Sequence, residues 1–479
     1  MRTIRWTVAV LLVSVLAMAG APAAVGSDRD PGSGAVAAVY VADFVATAAT
    51  GAAMNDAGDV VGTSFTDTGC GPFCLPPEDT VVWRGGQRIV LPEVPGLSGI
   101  HPSSINNQGW VSGLAGIPGT TTRAVVWKPT GNTYVAIDLG VLPGTTISNA
   151  AGIDDQGRVV GWSYTPFING AAFVWTEATG MQDLSAQGFP AEQPLAISPG
   201  GSVATASAWY RLEDPGSVSF LPPAPQGFAV GSYATAINDA GDQARFLVST
   251  GPQNLVYLFR FHHEGTWQMI SGAGTGQLST YGVGSINAAR DVTATVQSTA
   301  VIAPGPDGLA QPLKGLLSPA YAGADIGSGG PMNFSGQILT RVMIGNSMRL
   351  MRLTPATPCV SDCTIASGIL MRGTFVQDPN DPGSCSPGGE AYNEVRAKVV
   401  VTDEAGEPLA GVKVQGRFLD DYWTNKAVSG TTNAAGRVTF GNKGPCGVGA
   451  VAFLVDKASL PTRVFDRTTG IVTRFVIPQ

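Results

Sequence analysis

The chain has 479 residues, a net charge of −7 and only 13% charged residues, with 63 glycines, 34 prolines and 44% hydrophobic residues. This length exceeds that of one ordinary core, and the charge balance excludes a basic surface of the kind that binds nucleic acid or anionic lipid. The apolar fraction excludes a disordered chain, and the many glycines and prolines predict short strands joined by turns.

The N-terminal segment is typical of a secretory signal peptide. Arg2 and Arg5 precede an apolar run over residues 6–18, and a stretch of small residues, AGAPAA, follows it. The run is shorter than the roughly 20 residues that a membrane-spanning helix needs, so we expect cleavage rather than anchoring. We therefore predict a signal peptide over residues 1–24, a secreted or cell-surface location, and no membrane span after cleavage.

A nine-residue phrase recurs along the next 300 residues, first as MNDAGDVVG at residues 54–62. Consecutive copies are 40–51 residues apart, a period close to that of the blades of propeller proteins. The leading apolar residues of the seven copies are Met54, Ile105, Ile153, Ile197, Ile237, Ile286 and Met332. The period predicts a seven-bladed β-propeller over residues 36–355.

Each copy predicts four short strands, shown by TISNAAGI, RVVGWS, AAFVW and MQDLS in the third. The turn after the first strand needs a residue that accepts positive φ, which Gly58, Gly109, Gly157 and Gly241 supply. The last copy supplies only three strands. We therefore predict that residues 38–46 complete it by pairing with residues 347–353, because such closure removes an exposed sheet edge.

These motifs resemble the HAF-type extracellular repeats of exported bacterial proteins. MNDAGDVVG, IDDQGRVVG, AAFVW and IDLG carry the resemblance, which covers roughly residues 38–355. The resemblance implies a secreted location and a propeller-like β fold. It implies no activity, so no functional residue is transferred from the family.

Composition changes after residue 355. Residues 356–393 are rich in Cys and Pro, and we predict a linker and the first strand of a sandwich there. Residues 394–479 contain six or seven short alternating strands, which predict an immunoglobulin-like β-sandwich. This module also resembles Ig-like modules of exported bacterial proteins. The whole chain is therefore expected to be all-β.

Six cysteines in an exported chain indicate disulfides. The simplest pairing follows the order of the chain: Cys70 with Cys74, Cys359 with Cys363, and Cys385 with Cys446. Both close pairs are C-x3-C and lack a nearby His or a second Cys pair that would complete a metal shell, so we predict no metal site.

Residues typical of catalysis are sparse. The chain has three histidines, and His262 and His263 are adjacent, which on a strand would place them on opposite faces. It contains no Gly-x-Ser-x-Gly and no His-Glu-x-x-His motif. We interpret the Asn and Asp of the repeated phrase as turn residues rather than calcium ligands, and we predict no catalytic residue and no cofactor.

The loops that vary between copies lie on the propeller face opposite the repeated turns. There the sequence WSYTPF brings Trp162, Tyr164 and Phe167, which are suited to stacking on sugars or anchoring a protein. These three residues are the candidate binding face, although Trp162 at the end of a strand also fits a place in the core.

The predicted function is that of a non-enzymatic, exported binding or surface-structural protein. Its propeller loop face would present a site for an extracellular glycan or a surface protein. The alternative is a polysaccharide-active hydrolase or lyase with carboxylates in the propeller channel, which two acids about 5–10 Å apart would favour. A pure cell-surface scaffold is a third hypothesis. The sequence makes no prediction of oligomeric state.

Overall fold

The computed structural model describes residues 39–47, 49–65, 78–97, 99–116, 122–250, 255–271, 282–321, 325–327, 329–344, 347–374, 392–420, 425–448 and 451–476. Strands dominate these ranges, with short 3-10 segments at Ser185–Gln187, Leu313–Leu316 and Pro319–Tyr321. The expected all-β class is confirmed. Within the described ranges, no helix has the length and apolar character needed to cross a membrane. The predicted signal peptide lies outside the described residues.

Seven antiparallel four-stranded sheets form in the order of the repeats, and we number them units 1–7. Unit 1 contains β2 (Ala49–Met54), β3 (Val60–Phe65), β4 (Glu78–Arg84) and β5 (Gln87–Val90). Unit 2 contains β6 (Ile100–Ile105), β7 (Val111–Ala115), β8 (Arg123–Thr130) and β9 (Thr133–Asp138). Unit 3 contains β10 (Ile147–Ile153), β11 (Val159–Thr165), β12 (Asn169–Thr176) and β13 (Gly180–Asp183).

The remaining units repeat the same strand order. Unit 4 contains β14 (Ala196–Ile197), β15 (Ser202–Ala204), β16 (Ala208–Arg211) and β17 (Asp214–Phe220). Unit 5 contains β18 (Phe228–Ile237), β19 (Gln243–Ser249), β20 (Val256–His262) and β21 (Thr266–Met269). Unit 6 contains β22 (Gly282–Ile286), β23 (Val292–Val296), β24 (Thr299–Ala303) and β25 (Gln311–Pro312). Unit 7 contains β26 (Asp325–Ile326), β27 (Ile338–Ile344), β28 (Ser347–Ala356) and β1 (Val39–Thr47).

Unit 7 joins the two ends of this region. Strand β1 pairs antiparallel with β28, with Val39 opposite Ala356 and Thr47 opposite Arg349. The predicted pairing of residues 38–46 with residues 347–353 is therefore confirmed. All seven units contribute residues to the lining of one cavity, which we call the axial cavity, and we call residues 39–356 the ring.

Apolar side chains between adjacent units form separate small cores. The alternation of each second strand explains this arrangement, since neighbouring valines point to opposite faces of a sheet. In unit 3, Val159 packs with the core toward unit 2 and Val160 with the core toward unit 4. Trp127 and Trp175, on the third strands of units 2 and 3, are buried in cores of this kind.

Two further four-stranded sheets follow the ring. One contains β29 (Cys363–Thr374), β30 (Tyr392–Thr402), β33 (Arg437–Val448) and β35 (Val464–Asp466). The other contains β31 (Lys413–Asp420), β32 (Asn425–Thr431), β34 (Val451–Ser459) and β36 (Thr473–Val476). We call these strands the C-terminal module. Its core is continuous with that of unit 7, because one apolar cluster includes Tyr40, Leu353 and Phe453.

Of the three predicted disulfides, the bond between Cys359 and Cys363 is present and confirmed. Cys70, Cys74 and Cys385 lie outside the described residues, as does the side chain of Cys446. The pairings Cys70–Cys74 and Cys385–Cys446 stay predictions.

Candidate functional site

The residue after each repeated apolar anchor organises its turn in the same way in all seven units. Its side-chain oxygen accepts a hydrogen bond of 2.8–3.0 Å from the backbone N–H four residues later. These residues are Asn55, Asn106, Asp154, Ser198, Asn238, Asn287 and Asn333. The repeated Asn and Asp are therefore turn residues, as predicted.

The same asparagines also connect neighbouring units, which the sequence did not predict. The side-chain Nδ2 of Asn55 donates to the carbonyl of Asn106 at 3.0 Å, and that of Asn106 donates to the carbonyl of Asp154 at 2.8 Å. Asn333 donates to the carbonyl of Asn55 at 3.1 Å, so the chain of amides crosses the closure between units 7 and 1. Each of these asparagines thus caps its own turn and also forms a hydrogen bond to the turn of the next unit.

The following turn position forms a second polar network across units 1–3. Asn107 Nδ2 donates to Asp56 Oδ2 at 2.9 Å and to Asp155 Oδ2 at 2.8 Å. The backbone N–H of Asn107 donates to Asp155 Oδ1, and that of Phe334 donates to Asp56 Oδ1. Both carboxylates are therefore fixed in position by hydrogen bonds.

These turns surround one end of the axial cavity, whose volume is about 260 Å³. The inner strands contribute small side chains to its wall, including Ala52, Ser103, Ala151 and Gly284. Asp56, Asn107, Asp155 and Phe334 line it at the turns. The sequence predicts a binding face on the loops that vary between copies, and this cavity lies among the repeated turns.

The three predicted aromatic residues all lie on the β11–β12 hairpin. Trp162 and Tyr164 are half-buried on one face of β11, and Trp162 packs against the core between units 3 and 4. Its indole covers Gly170, where a Cβ atom would lie 2.6 Å from Nε1. Trp162 therefore belongs mainly to the core, which was the alternative left open by the sequence.

Phe167 differs from the other two because it projects fully into solvent at the hairpin tip. Its backbone is left-handed, with φ of 63°, a conformation that costs energy for a residue other than glycine. The N–H of the next residue, Ile168, donates to the carbonyl of Thr165 at 3.1 Å, and its side chain is 78% exposed. We call Phe167 and Ile168 the hairpin tip.

A cluster of charged side chains occupies the junction of units 5 and 6. Asp242 is buried and accepts hydrogen bonds from the His263 backbone and ring, from Asn238 and from Arg290. Burial alone would raise the pKa of Asp242, but these hydrogen bonds outweigh it and leave the pKa below its usual value.

Among the described residues, three side chains of this cluster lie close enough together to bind a metal ion. Asp242, His262 and Glu264 each offer a ligand atom within 4.8 Å of the others. Arg290 already donates to Asp242 at 2.9 Å and to Glu264 at 2.8 Å. The positive charge that the two carboxylates require is therefore supplied by the protein itself.

No family model and no curated protein matches the chain. Several solved structures are similar to it at low sequence identity. A candidate gluconolactonase is 11% identical, with 66% of this chain and 92% of that chain covered and a TM-score of 0.31. AofleA from Arthrobotrys oligospora is 8% identical, with coverages of 85% and 94% and a TM-score of 0.27. A eukaryotic initiation factor is 11% identical, with coverages of 84% and 93% and a TM-score of 0.32. Similarities at such TM-scores support no argument about fold or activity.

Proposed function

We propose that this protein is an exported, non-enzymatic binding protein that attaches to a protein surface through its hairpin tip. In this proposal the ring is a seven-bladed β-propeller of the HAF-repeat type, and the C-terminal module is an immunoglobulin-like sandwich. The signal peptide over residues 1–24 directs the chain out of the cytoplasm.

The observation that supports this function is the exposure of the hairpin tip. An aromatic and an aliphatic side chain lie next to each other in solvent, on a turn that holds Phe167 at an unfavourable φ. Large apolar side chains that a partner can bury are the main source of affinity in protein interfaces. The side chains of Phe167 and Ile168 carry no hydrogen-bonding atom, so we favour a protein partner over a sugar.

The experiment compares binding of the labelled protein to bacterial cell surfaces with that of two variants. Phe167→Ser with Ile168→Ser should reduce binding at least tenfold. Phe220→Ser, which removes an equally large side chain that is 72% exposed in unit 4, should leave binding unchanged. Protease treatment of the cells should abolish binding, whereas periodate treatment should not. Equal binding of the tip variant and the wild type, or no binding at all, would refute the proposal.

One observation favours the rival hydrolase. Asn107 Nδ2 donates to Asp56 Oδ2 at 2.9 Å and to Asp155 Oδ2 at 2.8 Å, so these two oxygens lie no farther apart than the sum of the two distances. This limit includes the carboxylate spacing of about 5 Å in retaining glycosidases. However, the bridging amide fills the space where a glycosidic bond would have to lie. A catalytic acid must also donate its own proton, whereas both of these carboxylates accept a hydrogen bond from Asn107. We therefore propose a binding role for the cavity residues and expect no glycoside hydrolysis.

A further inference from the structure

We propose that the axial cavity is a second binding site, for a single-ring polyhydroxylated ligand without negative charge, which means a neutral or amino sugar. This site goes beyond the function proposed above and does not involve the hairpin tip. Its volume of about 260 Å³ leaves room for a single sugar ring.

The space exists because small residues stand just before the turn in four units, whereas Leu195 and Thr235 stand at this position in units 4 and 5. The residues three positions before the turn-capping residues are Ala52, Ser103, Ala151 and Gly284 in units 1, 2, 3 and 6. In each of these units the pairing of the first strand with the second has a β-bulge at that residue. Since the bulge repeats at one position, the first strands of these four units bend at the same point before their turns.

Asp56, Asn107 and Asp155 supply hydrogen-bond acceptors along one side of the cavity. Asn107 and two backbone N–H groups hold the carboxylates, and each carboxylate oxygen keeps a further lone pair for a ligand. Because the oxygens are already in place, a ligand hydroxyl that donates to them does not have to order these side chains.

Phe334 lies beside this acceptor group on the cavity wall, and its backbone N–H donates to Asp56 at 2.7 Å. An aromatic ring next to fixed acceptors matches the two sides of a sugar, whose C–H face packs on the ring while its hydroxyls donate.

Charge defines which sugars fit. Among the described residues that line the cavity, two are carboxylates and none is Lys, Arg or His. The resulting negative potential favours an ammonium group and opposes a ligand carboxylate. The proposed order of affinity is therefore amino sugar, neutral sugar, then uronic acid.

The test measures binding of glucosamine, glucose and glucuronate to the full chain by saturation-transfer NMR and calorimetry at low ionic strength. These probes share one ring and differ in charge. We expect detectable binding of glucosamine and glucose, with at least tenfold weaker binding of glucuronate. Asp56→Asn and Asp155→Asn should each lower glucosamine affinity at least fivefold and reduce the discrimination against glucuronate.

The matched control is Asp239→Asn. Asp239 occupies the same turn position in unit 5, and it accepts the backbone N–H of Gly200 but does not line the cavity. This variant should bind the probes as the wild type does. Phe334→Leu keeps the charge and should weaken glucose binding while preserving the order of the three probes.

Absence of binding of glucose and glucosamine, equal affinity for glucuronate, or an equal effect of Asp239→Asn would each overturn the proposal. Thermal unfolding of every variant identifies any loss that arises from misfolding. The tip variant should bind the probes normally, so failure of the cavity proposal and failure of the proposed function can be distinguished.

Discussion

Arg290 has a backbone conformation that glycine adopts in the six other repeated turns. Its φ is 67°, and the corresponding glycines have φ between 73° and 97°. In five of those turns the glycine also packs against a large side chain of the preceding unit. In unit 2, for example, a Cβ atom on Gly109 would lie only 2.3 Å from the guanidinium of Arg84. At the junction of units 5 and 6 the guanidinium comes instead from the turn itself. Arg84 in unit 1 donates from Nε to Asp59 at 2.8 Å. Arg290 makes the corresponding bond to Asp242, which is the residue of unit 5 at the position of Asp59.

Arg290→Gly should lower stability although it relieves backbone strain. Glycine at positive φ gains about 1 kcal/mol, whereas removal of one partner from a buried carboxylate costs about 3–5 kcal/mol. The folded-state pKa of Asp242 is lowered, so its stabilising contribution is present above about pH 4 and is lost as the pH falls further. The deficit of the variant should therefore shrink in acid. Urea unfolding at pH 7 and pH 3 measures it, and a variant more stable than the wild type at pH 7 would contradict this account.

A second substitution provides the control. His262 in unit 5 occupies the strand position that Arg84 occupies in unit 1. Each follows the third-strand residue that pairs with the first residue of the second strand, Phe261 with Gln243 and Trp83 with Val60. Adding His262→Arg to Arg290→Gly should recover most of the lost stability, because a guanidinium again reaches the buried carboxylate from the third strand.

At the level of the elements, the turn between the first two strands has two separate tasks in units 1, 2, 5 and 7. The sequence predicted the first, since Asn, Asp and Gly at fixed positions indicate a hairpin turn. The second is the donation from the asparagine amide to the next unit. In the sequence, the only sign of this donation is that Asn occurs at the capping position in five of the seven copies. An Asp or Ser would cap the turn equally well but has no amide to donate.

Asn106→Asp should separate these two tasks. The new carboxylate still accepts the N–H of Trp110 but has no hydrogen to donate to the carbonyl of Asp154. We expect a loss of about 1–3 kcal/mol at pH 7. Burial without a cation would raise the pKa of the new acid, so the loss should diminish as the pH falls and the protonated form donates.

Thermal unfolding between pH 4 and pH 8 measures this effect. Asn132→Asp, in an exposed turn of unit 2, serves as the control and should change stability by less than about 0.5 kcal/mol. A loss for Asn106→Asp that did not vary with pH would show that donation to the next unit contributes nothing.

At the level of the whole molecule, the C-terminal module holds the strand that closes the ring. Arg467 donates to the carboxylate of Asp43 and to the carbonyl of Ala42, both in β1, and to the hydroxyl of Tyr321. The guanidinium of Arg417 lies 4.4 Å above the ring of Phe44, also in β1. Strand β1 thus contacts residues that lie more than 350 positions later in the chain.

Arg467→Met should loosen β1 selectively. The half-buried ion pair and its hydrogen bonds contribute about 2 kcal/mol, so hydrogen exchange of the β1 amides should accelerate at least tenfold. Amides of unit 3 should keep their protection. Arg474→Met, which removes an exposed arginine of the same module, is the matched control. Unchanged exchange in β1 would show that its pairing with β28 alone keeps the ring closed.

The sequence alone determined the period of the repeats, the four strands in each unit, the position of the tight turns and the pairing of β1 with β28. These features depend on local backbone preferences and on alternation along single strands, which a linear pattern records. Only the tertiary structure decided that Trp162 packs in a core while Phe167 is exposed, that Asn107 bridges two carboxylates, and that Arg290 and Arg467 pair with acids far away in the chain. Such contacts depend on how strands from different units are placed around the axis. The spacing of residues within one repeat does not encode the distance between side chains of different units.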